Sequence, residues 1–133
     1  MMKGDLKMLK FTSTDKAPAA IGPYSQAVAV NGFLFTSVQV ALMPGTGEIA
    51  GTTIEEQAER VMQNLKAILE ENGVGFENVV KTTCFIADMN DFAAFNEIYG
   101  KYFTSKPARS CVAVKQLPKN LLCEVEVIAV LDK

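Results

Sequence analysis

Two short stretches near the end of the chain carry the charges best suited to chemistry. Pro107-Ala108-Arg109-Ser110-Cys111-Val112 opens one apolar run. Leu122-Cys123-Glu124-Val125-Glu126-Val127-Ile128 forms the next, after a Leu117-Pro118-Lys119-Asn120 turn. An arginine therefore starts one predicted strand, and two carboxylates sit inside the following one. Charges are uncommon in runs this apolar unless something pairs with them. A hairpin over these residues is expected to bring Arg109 close to one of the glutamates. On residue types alone, that fits a strand-surface salt bridge as well as a binding site. As a site, a strand-held guanidinium is a planar fork for a small carboxylate, and a nearby glutamate can manage protons or a water.

Composition narrows the chemistry. The 133 residues suit one domain, residues 1–133, with a real core and with residues 1–8 as a flexible start. The net charge is -2 and no basic stripe appears, so the electrostatic footprint of a nucleic-acid binder is missing. Met1 to Phe11 lacks an apolar core of signal-peptide length, and no window approaches a membrane span. A cytoplasmic location is expected. Cys84, Cys111 and Cys123 form no C-x-x-C pair and lie in apolar runs, which reads as buried reduced thiols. The chain has no histidine. That removes Ser-His and Cys-His catalysis, histidine metal sites and the usual ribonuclease acid/base pair.

The elements that must position these residues follow from pattern. Leu9 to Thr12 is a short strand and Thr14 to Pro23 a loop punctuated by Pro18, Gly22 and Pro23. Ser25 to Val30 and Phe33 to Val40 read as strands joined at Asn31-Gly32. Met43 to Gly51 is loop. Thr53 with Glu56 makes a capping box, and Ile54, Ala58, Val61, Met62, Leu65, Ile68 and Leu69 follow helical spacing up to a stop at Gly73. Val79 to Ala87 is a strand. Asp88 to Asp91 caps a second helix, Phe92 to Phe103, and strands near 108–114 and 122–131 close the chain.

Two helices of this length cover one face of a mixed sheet, giving an α+β, two-layer domain of about six strands. The other face is then uncovered. In the last strand Cys123, Val125, Val127, Ala129 and Leu131 point one way, while Leu122, Glu124, Glu126, Ile128 and Val130 point the other and are still mostly apolar. A sheet apolar on both faces with so few helices suggests burial against another subunit.

Four segments together resemble the RidA (YjgF, L-PSP) family. They are Ala17-Pro18-Ala19-Ala20-Ile21-Gly22-Pro23-Tyr24-Ser25-Gln26-Ala27, then Val80-Lys81-Thr82-Thr83 with Asp88-Met89-Asn90-Asp91-Phe92, then Pro107-Ala108-Arg109-Ser110, then Glu124-Val125-Glu126. The resemblance runs from about Ala17 to Val130. It implies the RidA fold, chorismate-mutase-like, in a homotrimer with sites in the clefts between subunits. It also implies hydrolysis of reactive enamine/imine intermediates, such as 2-aminoacrylate and its imine tautomer, to a 2-keto acid and ammonia. No metal and no covalent cofactor are implied. By the resemblance Arg109 clamps the substrate carboxylate and Glu124 positions or activates water, with Glu126 two residues on along the same face. Tyr24 borders the substrate, Asn96 is a polar helix residue facing the site, Ser37 and Val38 belong to a strand element at the pocket, and Cys111 offers its backbone rather than its thiol.

The chain departs from the family pattern twice. The usual Ser-Gly-Gln reads Ser37-Val38-Gln39, which replaces a permissive glycine by a stiff branched side chain. Lys106 stands before Pro107 where an aromatic residue is usual, in a loop about one residue shorter. Both changes bear on substrate range. Two other readings stand beside the deaminase: an endoribonuclease, as the older family label has it, and a non-catalytic trimeric binder of small carboxylates.

Overall fold

The computed structural model describes residues 8–131, so most of the expected flexible start lies outside the described residues. The strands are β1 (Lys10–Thr12), β2 (Ala27–Val30), β3 (Phe33–Thr36), β4 (Gln39–Val40), β5 (Val79–Ile86), β6 (Ala108–Ala113) and β7 (Cys123–Val130). Helix α1 (Ile54–Glu71) lies between β4 and β5, and α2 (Phe92–Tyr102) between β5 and β6. They form one mixed sheet in the order β1-β2-β3-β7-β5-β6, with β4 also paired to β7. No helix among the described residues is long and apolar enough to cross a membrane.

Local chemistry sets these elements. Asn31 (φ 55°) and Gly32 (φ 80°) take the left-handed turn that joins β2 to β3 in register, Val30 opposite Phe33. The capping box forms as the spacing predicts. The Glu56 N–H donates to Thr53 Oγ1 at 3.1 Å and the Thr53 N–H to Glu56 Oε1 at 3.3 Å. Backbone N–H donors from Thr52 and Thr53 hold the Glu56 carboxyl below its usual range. Helix α1 buries Ala58, Val61, Leu65 and Ile68 on the sheet face formed by Cys123, Val125, Val127 and Ala129. The opposite face is bare, as the last strand's pattern suggests. One cross-sheet row carries Phe11, Val28, Phe35 and Ile128, and the next carries Val30, Phe33 and Val130. Phe33 and Phe35 remain 41% and 42% exposed.

Two expectations are corrected. The single strand Phe33 to Val40 is two strands, which raises the count from about six to seven. Phe35 pairs with Ile128 and Gln39 with Val125, so Thr36, Ser37 and Val38 face only Glu126 and Val127. This is a β-bulge. The Thr36 hydroxyl stands in for a lost ladder acceptor and takes the Val127 N–H at 3.0 Å. The expected β6–β7 hairpin is also absent. The chain returns through α2, and β6 docks parallel to β5, with β5 lying between β6 and β7. A helical crossover between neighbouring parallel strands is the favoured connection.

Candidate functional site

The arginine is built by β6 and α2. Arg109 pairs in register with Thr82, and Cys111 with Cys84, so both side chains lie on the helix-covered face at the open edge of the sheet. Phe92, Asn96 and Tyr99 share one face of α2, at spacings of four and three residues. Arg109 Nη1 donates to Asn96 Oδ1 at 2.6 Å. Its guanidinium carbon lies 4.7 Å from the Tyr99 ring centre and 5.5 Å from that of Phe92, both cation–π distances. The Tyr99 hydroxyl is fixed in turn by the buried Thr82 hydroxyl at 2.8 Å. No carboxylate pairs with Arg109 among the described residues. The guanidinium is thus aimed and half-buried, with its remaining donors free of an acidic partner. Burial pushes the Cys111 thiol up while Arg109 pulls it partly back. Cys84 and Cys123, deeper in the core, are pushed up to about 12. All three thiols are free.

A second group gathers around the bulge. Ser37 Oγ donates to the Ser25 carbonyl at 2.6 Å, and the Ser37 N–H to the Gln26 carbonyl at 2.9 Å. Val38, Val40 and Tyr24 line one cleft. Val40 is the register partner of Glu124. Glu124 and Glu126 both face the bare side of the sheet. Burial first, and then the neighbouring Glu126 charge, raise the Glu124 carboxyl above its usual 4.5.

The structure therefore brings together Arg109, Asn96 and Cys111, and separately Tyr24 and Val38 in one cleft, with Ser37 beside them in the bulge and Glu124 on the neighbouring strand. It does not bring the two groups together within one chain. Arg109 is level with Thr82 and Glu124 with Phe85, two strands apart and on opposite faces. Strand spacing and rise put their Cα atoms roughly 14 Å apart. The strand-surface salt bridge that residue types alone allowed does not form.

Several positioning residues escape a sequence reading. Phe92 and Tyr99 read as plain core stripe; the position of Asn96, four residues after one and three before the other, marks the same helix face, but not that the two rings flank Arg109. Gln26 holds the loop that carries Tyr24. It accepts the Thr14 N–H at 2.7 Å and donates to the Thr14 and Pro18 carbonyls at 3.0 and 2.8 Å. Asn64, fully buried in the apolar stripe of α1, donates to the Val40 and Leu42 carbonyls at 2.9 and 3.0 Å. A polar residue inside an apolar stripe is the available clue. Among the described residues no cluster of three or more metal-ligating side chains occurs.

With this geometry in place, similarity to known proteins is extensive. The sequence profile of the family described as Endoribonuclease L-PSP matches residues 14–131. A RutC family protein of Synechocystis is 56% identical over 126 residues, which is 92% of this chain and 97% of that protein. The chloroplastic Reactive Intermediate Deaminase A of Arabidopsis thaliana is 48% identical over 120 residues, 90% of this chain and 64% of that protein. The crystal structure of E. coli TdcF with bound serine matches with a TM-score of 0.86 at 43% identity, over 91% of this chain and 98% of that one. The chain belongs to the L-PSP endoribonuclease family, whose members also carry the names RutC, YjgF and Rid and include reactive intermediate deaminases.

Proposed function

We propose that this chain is a 2-iminobutanoate/2-iminopropanoate-type deaminase that hydrolyses reactive enamine/imine intermediates to a 2-keto acid and ammonia. The observation that carries the reading is Arg109, a fixed guanidinium with no acidic partner among the described residues. A small carboxylate completes it, and a charge-assisted contact of this kind contributes about 1.5–3 kcal/mol. Glu124 supplies the second part. Its raised carboxyl lies closer to neutrality than a free glutamate, which suits it to take and return a proton. Water adds to the electrophilic imine carbon while Glu124 accepts its proton. Glu124 returns that proton to the nitrogen, the added hydroxyl then passes its own proton to the amine as the C–N bond breaks, ammonia leaves, and the carbonyl of the 2-keto acid remains.

Arg109 and Glu124 lie on opposite faces of the sheet, so we assign them to different copies of the chain. Arg109, Asn96 and Cys111 come from one subunit, and Glu124, Tyr24, Ser37 and Val38 from its neighbour, in a homotrimer. The bare row of Phe11, Val28, Phe35 and Ile128 supports such an assembly. The free cysteines support a reducing compartment, and we place the protein in the cytoplasm. The related deaminase and the serine-bound TdcF support the same substrate class. No feature of the site favours ribonuclease chemistry, since the chain lacks histidine and carries a net charge of -2.

A coupled assay tests the activity. A serine or threonine dehydratase generates the imine, and 2-keto acid release is followed with wild type, Arg109→Ala and Glu124→Gln. Acceleration by wild type that is lost in both variants is expected. If wild type gives none while a 2-keto acid still binds, the protein is a binder and the enzyme reading fails. Subunit sharing has its own test. Arg109→Ala and Glu124→Gln chains, unfolded together and refolded as mixed trimers, should regain roughly one quarter of wild-type activity, because random assembly gives that fraction of intact shared sites. No gain on mixing active-site variants that each fold would place both residues in one chain's site.

A further inference from the structure

The cleft beside the bulge has a volume of about 380 Å³. Its walls are Ile21 and Tyr24 from the loop before β2, Val38 from the bulge, and Leu42 and Met43 after β4, with Val40 toward Glu124. Val40 and Glu124 are register partners on the same face. The cleft thus begins one backbone-to-backbone strand spacing, about 4.8 Å, from the strand that carries Glu124.

The cleft is built rather than incidental. Asn64 pins the carbonyls of Val40 and Leu42, Gln26 pins the loop that carries Tyr24, and the Ser37 hydroxyl ties the bulge to Ser25. The amides near its walls are already engaged. Gln26 Nε2 donates to loop carbonyls and Gln39 Nε2 to the Val38 carbonyl at 3.3 Å. The remaining polar side chains of the lining, Tyr24, Thr46 and Lys119, belong to exposed residues, while Ile21, Val38, Val40, Leu42 and Met43 give the cleft its aliphatic walls. Lys119 stands at the rim and is exposed.

Three directions leave an imine carbon. The carboxylate goes to Arg109, and the nitrogen and incoming water lie at Glu124. The third is the amino-acid side chain, and the cleft is the space left for it. A methyl group would leave most of that volume unfilled. We infer that the cleft receives the side chain of a 2-imino acid and selects extended aliphatic or thioether chains, with Val38 as the specificity-determining residue. This rests on the deaminase reading above. Val38 is suited to the task because its branched side chain is stiff at χ1 and the bulge turns it into the cleft.

The test compares 2-imino acids generated in situ from amino acids by an amino-acid oxidase, with methyl, butyl, methylthioethyl, hydroxymethyl and carboxyethyl side chains. For wild type, kcat/KM should rise about fourfold per buried methylene from methyl to butyl. Both Val38→Gly and the surface variant Met43→Gln should lower the butyl-to-methyl ratio several-fold. A wild-type ratio within twofold of unity overturns the inference, as does a ratio unmoved in both variants. A preference for the carboxyethyl chain also overturns it and makes Lys119 the selecting group. If no imine is turned over, the deaminase reading fails separately. Calorimetric affinities of the matching 2-keto acids then decide the cleft by the same butyl-to-methyl ratio.

Discussion

Asn96 offers a sharp test of how the arginine is held, because its two simplest replacements should fail for opposite reasons. Asn96→Ala removes the 2.6 Å acceptor from Arg109 and leaves only the rings of Tyr99 and Phe92 to orient the guanidinium. A freed arginine must be ordered again when substrate binds, at about 1–1.5 kcal/mol for a rotamer-rich side chain. That corresponds to a roughly tenfold rise in KM. In the proposed reaction the clamp would hold the carboxylate equally in the ground and transition states, so kcat should stay within about threefold. Asn96→Asp instead hands Arg109 a carboxylate at the same place. Two unit charges 4 Å apart interact by about 4 kcal/mol near a protein surface. This internal rival should raise KM at least about 100-fold while leaving the fold as stable as wild type, or up to about 1 kcal/mol more so. Steady-state kinetics separate KM from kcat, calorimetry with 2-oxobutanoate reads affinity, and urea unfolding reads stability. An Asn96→Ala enzyme with KM within twofold of wild type would refute the orientation argument. An Asn96→Asp enzyme that binds as tightly as wild type would refute the claim that an unpaired guanidinium is the site.

The other expectations follow from neighbouring contacts. Tyr99→Phe loses the buried hydroxyl pair with Thr82 and should destabilise by about 1–3 kcal/mol in urea unfolding. It keeps the ring under Arg109, so KM should hold, whereas Tyr99→Leu should raise it. Asn64→Leu leaves the Val40 and Leu42 carbonyls without their donor and should cost about 2–4 kcal/mol on the same measurement. The Glu124 carboxyl is raised in the fold, so from pH 4.5 up through its folded pKa the native state binds more protons than the unfolded one, and this residue's contribution makes stability fall as pH rises. Relative to wild type, Glu124→Gln should therefore gain stability across that window and hold the gain above it. Glu126→Gln removes the second cause of the shift, so the acid limb of the rate profile should move to lower pH.

The fold was legible where one residue pattern admits one structure. Asn31-Gly32, the Thr53–Glu56 box and the alternation of β7 each point to a single local solution, and each forms. The bulge at Ser37–Val38 was not legible, because an apolar run fixes alternation but not the point where one extra residue slips the register. The pairing of β6 was hidden for a different reason. A turn signal at Pro118 to Asn120 fits a hairpin equally well when read locally. Only the preceding helix, which returns the chain parallel to β5, decides against it. The candidate site residues could be named from their motifs, but their grouping could not, since strand order decides which face and which edge each residue reaches. The partners of Arg109 were the least visible. Phe92 and Tyr99 have the same periodicity whether they pack a core or floor a charge.

That strand order also gives a physical reason for dividing the proposed site between subunits. Had β6 formed a hairpin with β7, Arg109 and a glutamate would have met on folding. The resulting pair would have satisfied both charges and met a substrate carboxylate with a competitor already in place. With β5 between them and the two residues on opposite faces, neither can neutralise the other within one chain. Each half keeps what the proposed catalysis needs: an aimed guanidinium without an acid among the described residues, and a carboxylate whose burial and acidic neighbour raise it toward neutrality. The two would meet only when the bare face of phenylalanines and valines is covered by another copy. Activity should then follow assembly, falling with dilution at the concentration where the oligomer dissociates, while each separated chain retains an unpaired arginine.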